Sequence, residues 1–302
     1  MAHPPSDSST HSSVVPNHAA TLRAMFASGT TVHAPGVYDA ITARIAESCG
    51  APAVYMSGAG VSAARGFPDY GLLTMSEMTA SLDIVNRAVD VPVIADADTG
   101  YGNELNVART IIEYERRGVA ALHLEDQVFP KRCGHLDGKE VVPVGEYVDK
   151  VRAAVDARRG DLVLIARSDA RTPIGLDAAL SRVNAALTAG ADMAFVDAPA
   201  SRDEIAAIPK MVDGPCVLNL VPGGKGPVLD LDEIEGLGYA LVIASSLLLY
   251  ATTDAGITTT RTFFDERRHP EPTVVTTLPG LFELFGAGKW DARRATPVTA
   301  QG

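Results

Sequence analysis

The sequence predicts a (β/α)8 barrel of the TIM type, on three observations. Short apolar, β-branched-rich runs recur along the chain at 31–34, 53–56, 91–95, 120–124, 162–166, 193–196, 216–220 and 240–244. Longer segments with helical periodicity lie between them, as at 38–49, 77–89, 104–117, 147–158 and 176–189. Strands alternating with helices of this length predict βαβ units and a parallel sheet. Eight such units in roughly 250 residues is the size of a closed barrel, and the chain has 302 residues. Gly50, Gly118, Gly160 and Gly190 follow helical segments and suit left-handed C-caps. A doubly wound dinucleotide fold is disfavoured because no glycine-rich loop follows the first run.

Composition narrows the partners. Hydrophobic residues make up 46% and charged residues 21%, as in globular domains. A formal net charge of -11 argues against nucleic acid, whose phosphates need surplus Lys and Arg, and against a polybasic membrane patch. No stretch approaches the roughly 20 apolar residues that span a bilayer, and 240–250 reads as a strand entering a helix. The Ser-, Pro- and His-rich residues 1–17 read as a disordered tail without signal-peptide features. Residues 18–302 then form one barrel domain with a C-terminal helical extension. Three cysteines are an odd, sparse set that fits a reducing cytoplasm. Cys49 and Cys216 are expected to be buried and inert.

Polar residues cluster where the apolar runs end. These are Ser57-Gly58-Ala59-Gly60, Asp96-Ala97-Asp98, Glu125-Asp126, Arg167-Ser168-Asp169, Asp197 and Asn219. The opposite ends are mostly apolar, an asymmetry expected if the C-terminal strand ends form a site. Asp96 and Asp98 are two apart and project to one face of an extended segment. Adjacent carboxylates repel unless a cation or proton lies between them. Mg2+, or Mn2+ in its place, is the hard divalent ion such oxygens suit, with Glu125 or Asp126 adding a contact. Asp96-Ala97-Asp98 alone also fits an Asx-turn before a helix cap; the second acidic tip sets the metal reading above it.

Residues 129–135, FPKRCGH, form the second constellation. Lys131, Arg132 and His135 flank Cys133, and such a positive field is expected to lower the thiol pKa. Gly134 and Gly138 suit a moving lid that excludes water. The glycine-rich residues 222–227 lack the spacing of a phosphate loop and read as a mobile loop.

In order along the chain, VYMSGAG, IADADTGYG, LEDQVFPKRCGH and ARSDA resemble the isocitrate lyase/phosphoenolpyruvate mutase superfamily. The likeness is greatest to the branch holding methylisocitrate lyase, dimethylmalate lyase, oxaloacetate hydrolase and carboxyphosphonoenolpyruvate mutase. It implies a homotetramer that is a dimer of dimers, with a C-terminal helix swapped between subunits. It also implies a small carboxylate substrate and a Mg2+-dependent lyase reaction. By the same resemblance Ser57, Gly58 and Ala59 hold a substrate carboxylate. Asp96 and Asp98 bind the ion, with Glu125 and Asp69 close by. Cys133 is the general acid on a loop with Lys131, Gly134 and His135; Arg167 pairs with a carboxylate; Asn219 contacts substrate; Tyr55 lies near the reacting hydroxyl.

The implied reaction cleaves a 2-hydroxy acid by retro-aldol chemistry. The cation lowers the hydroxyl pKa, the departing carbanion is stabilised as an enediolate, and Cys133 protonates its carbon. Asp197 stands where the lyases carry Glu, Asn219-Leu220-Val221 lacks their hydroxyl, Pro222 replaces a Glu of the other branch, and Tyr250 replaces an Arg of the tricarboxylate lyases. A third carboxylate would be left without its cation, so a smaller or more apolar diacid is expected. A phosphonate-forming mutase, an oxaloacetate-type hydrolase and a non-catalytic binding protein are the alternatives.

Overall fold

The structure is a computed structural model that describes residues 17–271 and 277–294. Its strands are β1 (Val32–Val37), β2 (Val54–Met56), β3 (Val93–Asp96), β4 (Ala121–Glu125), β5 (Val163–Ser168), β6 (Met193–Val196), β7 (Cys216–Asn219) and β8 (Leu241–Ala244). All pair in parallel in chain order, and β8 closes onto β1 with Leu241 opposite Val32. The predicted barrel is thus formed, each expected run falling within a few residues of its strand.

The helices in chain order are α1 (His18–Ala27), α2 (Ala40–Ser48), α3 (Gly58–Ala64), α4 (Met75–Ala88), α5 (Glu104–Glu115), α6 (Val144–Ala157), α7 (Arg171–Ile174), α8 (Leu176–Thr188), α9 (Arg202–Met211), α10 (Leu231–Leu237), α11 (Leu247–Asp265), α12 (Leu278–Leu284) and α13 (Ala287–Asp291). Caps explain several boundaries. Asp39, Thr74 and Asn103 each accept an amide hydrogen bond from the first turn of their helix in a reciprocal capping box. Gly50, Gly118 and Gly190 take the expected positive φ (89°, 75° and 109°). Gly160 does not; its amide donates instead to Glu115 Oε1 at 2.7 Å.

Alternation along the strands separates two cores. Ala53 and Tyr55, Ile94, Ala121, Val163 and Ile165, Met193 and Phe195, Val217, and Leu241 and Ile243 fill the barrel interior. The intervening residues, such as Met56, Ala95, Leu122, Leu124, Val196 and Leu218, pack under the helices. Continuing the interior series by two residues at each C-terminal end gives Ser57, Asp96, His123 and Glu125, Arg167, Asp197, Asn219 and Ser245. Site residues are the upper continuation of the barrel's inner face.

The lower mouth is covered by α1, which the sequence reading did not resolve. Leu22 is fully buried with the interior residues, and Arg23 donates to the Asp161 and Leu162 carbonyls at 2.7 and 3.0 Å. Asn17, expected in the tail, instead caps this helix, its Oδ1 accepting from Ala20 N at 3.0 Å. Residues 1–16 of the expected tail lie outside the described residues. Leu22→Ala removes a fully enclosed side chain and is expected to cost about 2–5 kcal/mol, read as a lower midpoint in denaturant with unchanged slope. Cys216 is buried as expected, but Cys49 is exposed because α2 ends there and the chain turns away at Gly50. No described helix is long and apolar enough to cross a membrane.

Candidate active site

The strand tips converge on a cavity of about 100 Å³. At its floor Tyr55 on β2 places its hydroxyl 2.7 Å from His123 Nε2 and 3.3 Å from Asp96 Oδ2. His123 follows from the register that sets it opposite Asp96 across β3 and β4. Burial, with help from Arg167 and Lys131, lowers the His123 pKa to about 4, so the ring is neutral; burial raises the Tyr55 phenol well above its ordinary range. Sequence reasoning missed His123, although its two-residue spacing from Glu125 marks it as inward-facing.

Asp96, His123 and Glu125 each offer a ligand atom, all within 4.8 Å of one another. Glu125 is fully buried. Its Oε1 accepts from Gln127 Nε2 at 2.9 Å, while Oε2 accepts no hydrogen bond and lies 3.3 Å from Arg167 Nε. Burial opposes ionisation of Asp96, but His123, which is protonated below about pH 4, together with Lys131 and Arg167 lowers it to about 2. Glu125 is driven well upward by burial. A buried carboxylate with an unfilled oxygen beside a second, ionised carboxylate fits a hard divalent cation. Asp98 does not join this group. It turns away at φ 47° and pairs with Lys131 at 2.9 Å, and burial raises its pKa to about 6. Asp126, expected near the ion, faces the helices instead: it accepts from Ser168 Oγ at 2.7 Å and Arg182 Nη1 at 3.2 Å. Strand alternation sends 125 inward and 126 outward.

Residues 128–140 form a loop closed at its base by a Val128 N to Glu140 O bond of 2.8 Å and by the Gln127–Val141 bridge. Gln127 ties the loop to Glu125, accepting from Arg132 N at 3.0 Å and donating to Arg132 O at 2.8 Å. Lys131, fully enclosed, bonds Asp69 at 2.5 Å as well as Asp98. Cys133 lines the cavity with Gly134 and His135, and its amide donates to Asp69 O at 3.1 Å. The expected depression of its pKa is wrong. Burial and the Asp69 carboxylate push the thiol up to about 11, because Lys131 is spent on two aspartates and Arg132 points outward over the Tyr70 ring at 5.9 Å. The sulfur therefore carries its proton at neutral pH.

Opposite the thiol, Arg167 donates through Nε to Asp169 Oδ2 at 2.8 Å and lies 3.4 Å from Asp197 through Nη2. Both Asp197 oxygens lack a hydrogen-bond donor. Lys139, unrecognised in the sequence, joins the loop to this group: its buried Nζ bonds Asp169 at 3.1 Å and also the Gly134 carbonyl. A Cβ at Gly134 would lie 1.8 Å from Asp197 Oδ2 and 2.6 Å from Arg167 Nη2, so any side chain there would have to push both groups aside. Asn219 lines the cavity and accepts from Ser245 N at 3.4 Å. Ser57 lines it too, but its hydroxyl accepts from Gly60 N as the cap of α3, and the Gly58 amide donates to Asp96 Oδ2 at 3.2 Å. Ala59, Asp69 and Tyr250 complete the wall with Val221, Ser245, Ser246 and Leu249.

Comparison with known proteins gives the family of the chain. Residues 22–264 match the model of the phosphoenolpyruvate phosphomutase family. The 2,3-dimethylmalate lyase of Eubacterium barkeri is 47% identical over 241 residues, 79% of this chain and 83% of that protein. A crystal structure of 2,3-dimethylmalate lyase, a PEP mutase/isocitrate lyase superfamily member, superposes with a TM-score of 0.88 at 36% identity, covering 96% of this chain and 99% of that one. Oxaloacetate acetylhydrolase in complex with 3,3-difluorooxalacetate also superposes at 0.88 and 36% identity, with 92% and 96% covered. The chain is an enzyme of the phosphoenolpyruvate phosphomutase family, within the PEP mutase/isocitrate lyase superfamily.

Proposed function

We propose that the chain is a Mg2+-dependent carbon–carbon lyase that cleaves a small substituted 2-hydroxy diacid such as 2,3-dimethylmalate. The observation that carries the reading is the composition of one cavity: a protonated thiol, a guanidinium and the Asp96 carboxylate line it together, with a Glu125 oxygen within 4.8 Å of Asp96. Asp96 and Glu125 would hold the ion, Mg2+ or Mn2+, with His123 beside them, while Asp98 pairs with Lys131. Bound there, the ion supplies Lewis acidity that makes a 2-hydroxyl easier to ionise.

The chain's own groups do the rest. Tyr55, kept protonated by burial, takes the proton of the substrate hydroxyl as its own proton passes to the neutral His123 Nε2 2.7 Å away. Arg167 binds the carboxylate into which the carbanion delocalises, held in place by Asp169. As the C2–C3 bond breaks, its electron pair passes into that carboxylate and Cys133 gives its proton to the carbon. From 2,3-dimethylmalate the products are pyruvate and propanoate. Lys131 fixes Asp69 and Asp98, while His135, Asp197, Asn219 and the Ser57–Ala59 segment contact the substrate.

The outer wall supports the choice of acid. Val221, Leu249 and Tyr250 bring no cation, so a third carboxylate would enter without a partner. The likeness to oxaloacetate acetylhydrolase favours one further reading, hydrolysis of oxaloacetate. A panel of 2,3-dimethylmalate, methylisocitrate, oxaloacetate and a phosphonopyruvate separates these. The expected result is pyruvate release from 2,3-dimethylmalate with kcat/KM at least about tenfold above methylisocitrate, the size of one lost ion-pair contact. Preference for methylisocitrate, or turnover of oxaloacetate or the phosphonate alone, contradicts it.

We also read the protein as a cytoplasmic homotetramer with an exchanged C-terminal helix. Its three cysteines are unpaired. Along α11 and α12 the side chains of Tyr250, Ile257, Phe263, Phe264, Leu278 and Phe282 are exposed, which supports a subunit contact there.

A further inference from the structure

The glycine-rich 222–227 segment, read from sequence only as a loop, reaches the catalytic lid. The Lys225 amide donates to His135 Nδ1 at 3.2 Å, and the Lys225 ammonium pairs with Asp137 at 2.6 Å. Gly224 leaves just enough room, since a Cβ there would lie 2.5 Å from His135 Nδ1. On the other side of the ring, His135 Nε2 is buried without a partner and the ring lines the cavity with Arg167 and Asp197.

We propose that the Gly224–Lys225 peptide is a positioning element that fixes His135 as the Nε2–H tautomer, a hydrogen-bond donor aimed into the active-site cavity. A backbone amide can only donate, so Nδ1 must present its lone pair. The single proton of the neutral imidazole then resides on Nε2. An imidazolium would set two N–H groups against each other at 3.2 Å, and burial, the largest influence on this ring, also lowers its pKa. A donor without a protein partner in an enclosed anionic-substrate site is one kept for substrate oxygen. The loop after β7 thus controls a residue on the loop after β4. The catalytic part of this inference rests on the lyase reading; the tautomer does not.

Solid-state 15N NMR of full-length, histidine-labelled protein tests it, with His135 assigned by its loss in His135→Gln. The wild-type spectrum is expected to show a protonated Nε2 and a bare Nδ1. A protonated Nδ1 or a charged ring overturns the proposal, whether or not any acid is turned over. Gly224→Ala, which displaces the ring, is expected to broaden or exchange the tautomer and to lower kcat by about 10- to 100-fold, the worth of a hydrogen bond to a charged group. Lys225→Pro, which replaces the amide hydrogen with a ring carbon and so removes the donor, gives the same result if Gly224→Ala folds poorly by melting. Lys225→Ala keeps the amide and is expected to keep the wild-type tautomer. Wild-type spectra in both Gly224→Ala and Lys225→Pro overturn the positioning role. If the wild-type tautomer is as stated but no acid on the panel reacts, the lyase reading falls while this assignment stands.

Discussion

Cys133→Ser lowers kcat by about 10²- to 10⁴-fold, the usual contribution of a positioned general acid, while leaving the melting temperature close to wild type. The serine hydroxyl fits the same space but is a far weaker acid, so the carbanion waits for solvent behind a closed loop. The pH profile distinguishes this from mere crowding. A general acid works only when protonated, and the Cys133 thiol is pushed up to about 11 by burial, Asp69 and Asp197. Its contribution is therefore constant through the neutral range and is lost only as pH rises toward 11. Cys133→Ser should abolish that alkaline limb as well as most of the rate. A limb near pH 8, or a serine variant with wild-type turnover, would contradict the assignment.

Asp96→Asn has an effect of similar size by a different route. The amide keeps the volume and one acceptor for the Gly58 amide and Tyr55, but it removes the charge that, with Glu125, suits a divalent ion. Loss of a Lewis acid worth several kcal/mol corresponds to about 10²–10⁴ in rate, and chelator-treated wild type should fall by as much. A second readout needs no substrate. An ion that binds only the folded state at 100 times its dissociation constant adds about 2.7 kcal/mol of stability. Added Mg2+ should therefore raise the wild-type melting temperature and leave that of Asp96→Asn unmoved. In the absence of the ion, the variant should be less stable than wild type, because positive neighbours hold the Asp96 carboxyl well below its usual range and its Oδ1 also accepts the Asp98 amide.

The barrel was legible because its signal is periodic. A two-residue alternation in each apolar run, followed by polar tips, is enough to place Ser57, Asp96, Arg167, Asp197 and Asn219 around one mouth, with Glu125 beside Asp96. The same rule, applied further, would have found His123, which was hidden only because it sits inside an apolar strand. Direction within loops was not legible. Lys131 and Arg132 flank Cys133 in sequence, yet one is taken by Asp69 and Asp98 and the other faces Tyr70, so the expected acidic thiol is a protonated one. Lys139, Gln127 and the Lys225 amide act across long separations in the chain. No local pattern announces such partners, because they depend on how two loops meet above the barrel. The helix over the lower mouth was missed for a related reason: its buried face is only Ala19 and Leu22, too little apolar surface to stand out.

Crystals of the full chain soaked in Mn2+ and oxalate, with anomalous scattering recorded at the manganese edge, give the most direct test. The expected result is a peak between the Asp96 and Glu125 carboxylates, with the Cys133 sulfur facing the oxalate above it. An ion bound elsewhere at saturating Mn2+, or a sulfur turned away from the occupied cavity, contradicts the account.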